Sequence, residues 1–553
     1  MKTKRIVALT LCAVAMSGMA AFSGCGQTVK GVIKDPKTVN VKMTNAGYGS
    51  AWLKEIAEKF ETLYASEGYK INVMTPQEGY HNATALAEMG LGASTGIDLV
   101  ITAGVYPEDV ASGTYAGCAE TLNDVYDSKP INFDGTEGET TIKELGANNA
   151  RRHKFGDDYY DYYWYNAPSG LVVNKTVLAG YNITEMPRTT DEMIEIYDAM
   201  ISTAKSTGVY PVTWAGDNAY GYALNPLYTH TAQMMGLEAY DDFFALDSTQ
   251  NEDGSVKADG WKIYQNEDFK PIIQTLTQLY DVLYSYPESE TQKHDVAHSQ
   301  LMMGRAAFMF DGLYFYNEVK ANFGNKLGDI DFLRTPVISA LGVKLKLDGS
   351  GADKAKCDDI LSYMIKLVDE EKTQEEIKTQ TETQFSVTLT DEQVKRVWEA
   401  RRTNYSNYQC DAYVIKGSEK ADIAKLFLRM LASEDAAKVQ VKYGMPNAYT
   451  QVDAPDNVDQ FLKSGYKIVK QNVYNCSSVM YVDSVRKGAN VFLLYDEVAA
   501  FVRDVNAAIG VPQNGLAGRD YVAIAESYYN KMVTAAQNGW TGRMKEQGGY
   551  EVK

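Results

Sequence analysis

Positive charge is scarce in this chain. Against 72 Asp and Glu stand 54 Lys and Arg, giving a formal charge of -18. A field of that sign repels phosphate backbones, which excludes nucleic acid as a partner. Histidine is rare, five in 553 residues, and no glycine-rich loop of the phosphate-cradling kind is found. Cysteine is sparse too. Beyond Cys12 and Cys25 come Cys118, Cys357, Cys410 and Cys476, widely scattered and without a CxxC spacing. They read as buried free thiols, with one disulfide as the alternative. After the N-terminal segment no apolar run is long enough to span a membrane, and no internal repeat is visible.

Catalytic signals fail on context. Gly92-Ala93-Ser94-Thr95-Gly96 fits G-x-S-x-G. A nucleophile elbow follows a strand and opens a helix, whereas here the pattern predicts the reverse. His294 and His298 stand at i, i+4 without the Glu that zincins place after the first His. They read as a solvated helix face. Thr249 to Gly254 resembles a calcium loop but lacks its first Asp. Gly260 stands where a bidentate Glu belongs, so a turn is expected. Paired carboxylates are too common to single out a glycosidase. No catalytic residue, metal or cofactor is expected.

What the chain has in quantity is Tyr: 39 residues, against 17 Phe. Tyr joins a flat apolar face to a hydroxyl that stays wet, which suits a half-exposed binding surface. With 45% apolar and 23% charged residues the composition is globular. A chain of 553 residues exceeds one compact domain, so at least two lobes are expected.

The N-terminus is a targeting segment. Lys2, Lys4 and Arg5 precede an apolar run from Ile6 to Ala21, which ends in Phe22-Ser23-Gly24-Cys25. That ending resembles the bacterial lipobox, with Phe22 where Leu is usual. The resemblance implies removal of residues 1–24, lipidation of Cys25, and a tether over 25–38. The chain is then exported and lipid-anchored at the outer face of the cell membrane. An uncleaved anchor, or cleavage by ordinary signal peptidase, is the alternative.

Beyond the tether the pattern alternates. A strand over Val39–Met43 leads to a helix with Leu53, Ile56, Ala57, Phe60, Leu63 and Tyr64 on one face. A strand over Lys70–Met74, a helix over Ala83–Gly90 and a buried strand over Ile97–Ile101 follow. This is the βαβ order of an open α/β sheet, whose ligands bind beyond the C-terminal strand ends. Thr189 and Glu192 form a capping box for a helix to about Lys205. Strands are expected at Tyr210–Trp214, Gly304–Phe310 and Ala412–Ile415, and a helix at Ala421–Ala432. The charged segment 344–402, with a second box at Thr390 and Gln393, reads as a helical insertion on the outside.

Several stretches, taken in order, resemble the family 1 extracellular solute-binding lipoproteins of carbohydrate ABC importers, similar in plan to maltodextrin-binding protein. They are Gly47-Tyr48-Gly49 with Trp52 to Phe60, Gly96 to Val100, Ser169 to Lys175, Pro187 with its capping box, Gly304 to Gly312, and Ala432 to Ala437. The resemblance implies a type II two-lobed α/β fold, mixed sheets flanked by helices, hinge strands between the lobes, and binding rather than catalysis. The expected N-terminal lobe is 39–160 with about 408–450. The C-terminal lobe is 165–340 with about 451–553. The hinge falls on Tyr162 to Lys175. Ligand-facing family positions fall on 45–48, 102–106, 165–167, 217–220 and 311–314. Ala167 stands near a family carboxylate, so maltodextrin specificity is not carried over.

A sugar offers an apolar C–H face, which an aromatic ring covers, and a rim of hydroxyls, which Asp, Asn or Arg pairs. The ligand-binding candidates with that chemistry are Asn45, Tyr48, Tyr106, Tyr165, Asn166, Trp214, Asp217, Tyr220, Asp311 and Tyr314. Core packing is the competing reading for each aromatic. The run Tyr159 to Tyr165 contains six aromatic residues in seven. Strand alternation sends those rings to opposite faces, so Tyr160 and Tyr162 are assigned to packing and Tyr165 with Asn166 to the cleft floor. The implied role is capture of an oligosaccharide or related sugar by lobe closure, as a monomer, for delivery to ABC permease subunits. A surface glycoside hydrolase, or a binder of a peptide or polyamine, is the alternative.

Overall fold

The computed structural model describes residues 30–45, 49–77, 79–146, 154–166, 168–217, 223, 225–252, 255–406, 410–476 and 519–546. The strands in chain order are β1 (Thr38–Met43), β2 (Lys70–Val73), β3 (Leu99–Ala103), β4 (Lys154–Phe155), β5 (Asp158–Tyr159), β6 (Tyr162–Tyr163) and β7 (Ser169–Asn174). They continue with β8 (Tyr210–Val212), β9 (Ala306–Gly312), β10 (Ile330–Leu333), β11 (Thr403–Tyr405), β12 (Cys410–Val414) and β13 (Tyr474–Cys476). The two larger sheets have the orders β2-β1-β3-β12-β6 and β10-β7-β9-β8, with β11-β13 and β4-β5 as two-stranded additions. Each larger sheet is the centre of a lobe.

In the first lobe β1 pairs in parallel with β2 and β3, while β12 alone runs antiparallel, between β3 and β6. All six residues of β1 are buried, as in a strand covered on both faces. The helix Ala51–Leu63 lays Trp52, Leu53, Ile56, Ala57 and Phe60 on it, at the spacing the sequence predicts. Burying such a side chain contributes roughly 1.5–3 kcal/mol each.

In the second lobe β7 lies between β10 and β9, antiparallel to both, and β8 is parallel to β9. Gly170 is required here, because a Cβ would lie 2.3 Å from the Leu333 carbonyl oxygen of the neighbouring strand. The helix Thr190–Thr207 is capped by the Thr189 hydroxyl, which accepts from the Glu192 N–H. The expected box is only half made: the Glu192 carboxylate accepts from the Arg188 N–H at 2.6 Å instead. The box at Thr390 and Gln393 is complete.

The segment 344–402 does not lie on the outside. Its helices Lys354–Asp369, Gln374–Phe385 and Asp391–Arg401 bury Ile360, Leu361, Met364, Ile377, Val394 and Val397 in one cluster with Leu171 of β7 and Phe308 of β9. Charged neighbours on the exposed face hid a narrow apolar stripe.

Among the described residues the chain passes between the sheets three times. The first passage leads from β6 into β7. The second leads from β11 into β12, where Ser406 bridges Pro168. The third leaves the helix Glu434–Lys442 of the first lobe and reaches the helix Gln460–Gln471, which packs beside β10. It is tied to the first passage by the Tyr165–Asn447 bridge and by the Asn166 N–H, which donates to the Pro446 carbonyl at 3.1 Å. The expected single hinge strand is therefore two strands with a break between them.

Candidate functional site

Strand direction brings one set of loops together. β1 and β3 end at Thr44–Asn45 and at Gly104–Tyr106. β12 starts at that same edge, since Cys410 pairs with Ala103, and β6 ends there. In the second sheet Ser169 pairs with Gly312, and β8 runs parallel to β9. The ends of β8 and β9 therefore lie at the passage. Asn45, Tyr106, Tyr165, Asn166, Trp214, Asp217, Asp311 and Tyr314 all sit on these facing edges. Tyr48, Tyr220, Ala167 and Cys25 lie outside the described residues.

Their exposure divides them. Asn45 and Asp217 are exposed and Tyr106 is half-buried. Their loops are fixed by the backbone: the Asn45 N–H donates to the Gln77 carbonyl at 2.9 Å, and the Tyr106 N–H to Asp109 Oδ2 at 2.9 Å. Gln292 pins the loop of Asp217. Its Nε2 donates to Thr213 Oγ1 and to the Trp214 carbonyl, while its own carbonyl accepts from the Asp217 N–H.

Tyr165, Asn166, Trp214, Asp311 and Tyr314 are buried. Trp214 Nε1 donates to Ser285 Oγ at 3.0 Å and its ring meets Tyr280, so the indole is part of the second core. Tyr314 is carried by the second lobe yet packs in the first lobe's cluster with Trp164 and Tyr165. The aromatic run is mostly core. Trp164 stacks on Trp52 at 4.6 Å, Tyr159 on Tyr126 at 4.0 Å, and Tyr162 meets Tyr449 at 5.0 Å. Tyr162 is buried and Tyr160 half-buried, but they pack in different clusters, and every residue from 161 to 166 is buried, so the run does not alternate between a wet and a dry face.

Two polar clusters went unpredicted. His298 is not on a solvated face: it is 3% exposed. Its Nε2 lies 2.7 Å from Asp311 Oδ2 and its Nδ1 3.5 Å from Glu318 Oε2. The second oxygen of Asp311 accepts from the Gly312 N–H at 2.7 Å. Burial alone would lower the imidazole, but Asp311 and Glu318 hold it above its ordinary value. Burial pushes the Glu318 carboxyl up to about 7, with His298 opposing. The second cluster is Asp161, just ahead of β6, with Asp411 of the neighbouring β12, both fully buried. Burial drives the Asp161 carboxyl well above the carboxylate range. The sequence signal for the first was a carboxylate ending an apolar strand, which must be paired. It did not name the partner, because His298 reaches Asp311 only through helix-on-sheet packing. Asp161 was hidden among its aromatic neighbours.

Other motifs resolve into structure. Ser94 sits in a 3-10 turn (Gly92–Thr95) between a helix and β3, its hydroxyl donating to the Leu91 carbonyl at 2.8 Å. Gln250 and Val256 form an antiparallel bridge, while Asp253 and Gly254 of the calcium-loop pattern lie outside the described residues. Cys118 and Cys357 are buried free thiols. Among the described residues no helix is long and apolar enough to cross a membrane, and no cluster of three or more His, Cys, Asp or Glu is arranged to hold a metal.

No protein-family model and no curated protein sequence matches the chain. Solved structures do. A probable secreted solute-binding lipoprotein from Streptomyces coelicolor superposes with a TM-score of 0.54 at 12% identity, over 90% of this chain and 99% of that one. The bacterial solute receptor AcbH, described as preferring β-D-galactopyranose, gives 0.51 at 14% identity, over 92% and 98%. A chitin oligosaccharide binding protein gives 0.51 at 14% identity, over 91% and 99%. Nearly the whole of each neighbour is matched, both lobes included, so this chain has the two-lobed fold of the extracellular solute-binding proteins.

Proposed function

We propose that this chain captures an oligosaccharide or related sugar between its two lobes and delivers it to the permease of an ABC importer. The observation that carries the reading is the meeting of two sheets' strand ends at three chain passages, with Asn45 and Tyr106 on one rim and Asp217 on the other. Two exposed polar groups can pair sugar hydroxyls while a half-buried ring covers a C–H face. Asn166, Tyr165 and Tyr314 form the floor beneath, and Asp311 with Trp214 supports it from the second lobe. The ligands named for the structural neighbours, β-D-galactopyranose and chitin oligosaccharides, support a carbohydrate here. Contacts to both lobes favour the closed form. The lipobox-like Cys25 supports export and anchoring at the membrane's outer face.

Calorimetry and thermal shift against a panel of neutral glycans test this. A ligand at a hundredfold excess over its Kd stabilises by about 2.7 kcal/mol, a shift of several degrees. If no glycan raises the melting temperature at millimolar concentration, the carbohydrate reading falls. If a bound glycan is hydrolysed, the chain is an enzyme and the transport reading falls.

A further inference from the structure

A separate cavity of about 390 Å³ opens beside β10, the edge strand of the second lobe's sheet. It lies between the loop Thr184–Arg188, the end of β10, the ends of the helices Lys354–Asp369 and Asp391–Arg401, and the helix Gln460–Gln471. In a chain of charge -18, its wall carries four cations (Arg188, Arg334, Arg401 and Lys467) and two carboxylates, Glu185 and Asp369. The wall itself carries +2, while Glu192 and Glu371 reach Arg188 and Lys467 from beside it at 4.0 and 3.6 Å.

The carboxylates are already engaged. Arg401 Nε and Nη2 donate to the two oxygens of Asp369 at 2.8 Å each. Arg401 is 8% exposed, and its remaining nitrogen Nη1 has no acceptor among the described residues. Arg334, 5% exposed, donates only to neutral groups: Asn472 Oδ1 at 2.8 Å and the Ile468 carbonyl at 3.2 Å, with Gln471 Oε1 at 3.4 Å. Burial, and Arg401 beside it, hold its guanidinium below the ordinary value. A buried cation without its own counterion is costly. Arg188 reaches the exposed Glu185 at 3.3 Å, and Lys467 reaches Glu371 at 3.6 Å; such surface pairs are weak and easily exchanged.

We infer that this cavity is a second ligand site, for a small oxyanion-bearing molecule, either a phosphate monoester or a carboxylate. Forked guanidinium donors match both groups. The volume is at the lower end of small-molecule sites, and Met186 with Leu333 supplies an apolar wall for the rest of the molecule. None of its lining residues is among the candidates for the proposed sugar cleft.

The test is calorimetry on the full exported chain with inorganic phosphate, citrate and acetate as probes, and glucose as the uncharged control. The expected result is saturable binding of phosphate or of a carboxylate, weakened at least tenfold in the double variant Arg188→Gln, Lys467→Gln. Both side chains are partly exposed, so the fold is kept, and any glycan response should be unchanged. Phosphate binding without carboxylate binding assigns a phosphate monoester, and the converse assigns a carboxylate. The absence of saturable binding by every anion up to 10 mM (about the weakest affinity worth calling a site) overturns the inference. So does equal affinity in the double variant.

Discussion

Glu318→Gln probes the buried chain of Asp311, His298 and Glu318. In the folded protein the Glu318 carboxyl titrates at about 7, against an ordinary 4.5. A carboxyl raised in this way favours the fold while it holds its proton. That contribution is full below about pH 4.5 and is lost as pH rises through about 7. Over that interval, at about 1.4 kcal/mol per pH unit, the loss amounts to ~3 kcal/mol. Gln has the same shape and no proton to lose. The variant should match the parent at pH 4.5 and exceed it by up to ~3 kcal/mol at pH 8, a gain of several degrees in Tm. His298 is also raised, so its own contribution fades with rising pH in both proteins. His294 and Asp295, on the same helix, are common to both as well. Thermal denaturation of the pair from pH 4.5 to 8, read as a difference, cancels the titrating groups that Glu318 does not touch and leaves Glu318 with the His298 it helps to hold up. A difference that does not change with pH, or a parent that outlasts the variant at pH 8, refutes the reasoning.

Other outcomes are expected. Tyr106→Ala and Asp217→Ala, on opposite rims, should each weaken glycan binding about tenfold or more, the loss of roughly 1.4 kcal/mol of contact, with Tm nearly unchanged. Calorimetry showing parental affinity in both would place the ligand elsewhere. Trp214→Ala should instead cost about 3–5 kcal/mol of stability, as a core tryptophan does; a variant as stable as the parent in denaturation would mean the indole is not packed. Gly170→Ala should destabilise by about 1–3 kcal/mol through overpacking against Leu333, read in the same melt. Cys25→Ser should move the protein from the membrane fraction to the medium, and unchanged partitioning would refute lipidation there.

The regular elements were legible because their apolar spacing is local. β1, the helix Ala51–Leu63 and the helix Ala421–Leu431 follow from periods visible within a dozen residues. The edge on which the candidates lie was legible too, because strand ends gather loops in any open α/β sheet. What escaped depends on contacts between residues far apart in sequence. Asp311 was chosen as a ligand group, yet both its oxygens already serve His298 and the Gly312 N–H. Trp214 was chosen for its ring, which meets Tyr280 instead. The cavity beside Arg334 is built from five separate segments, and no short motif records it.

Tyr314 links the two halves in a way that bears on kinetics. For the lobes to part, its ring must leave the cluster it shares with Trp164 and Tyr165. Exposing a ring of this size costs roughly 2 kcal/mol, which divides the open and shut populations by about thirtyfold. Under the proposed capture by lobe closure, that cost scales down the open fraction, and with it a solute's apparent association rate and affinity.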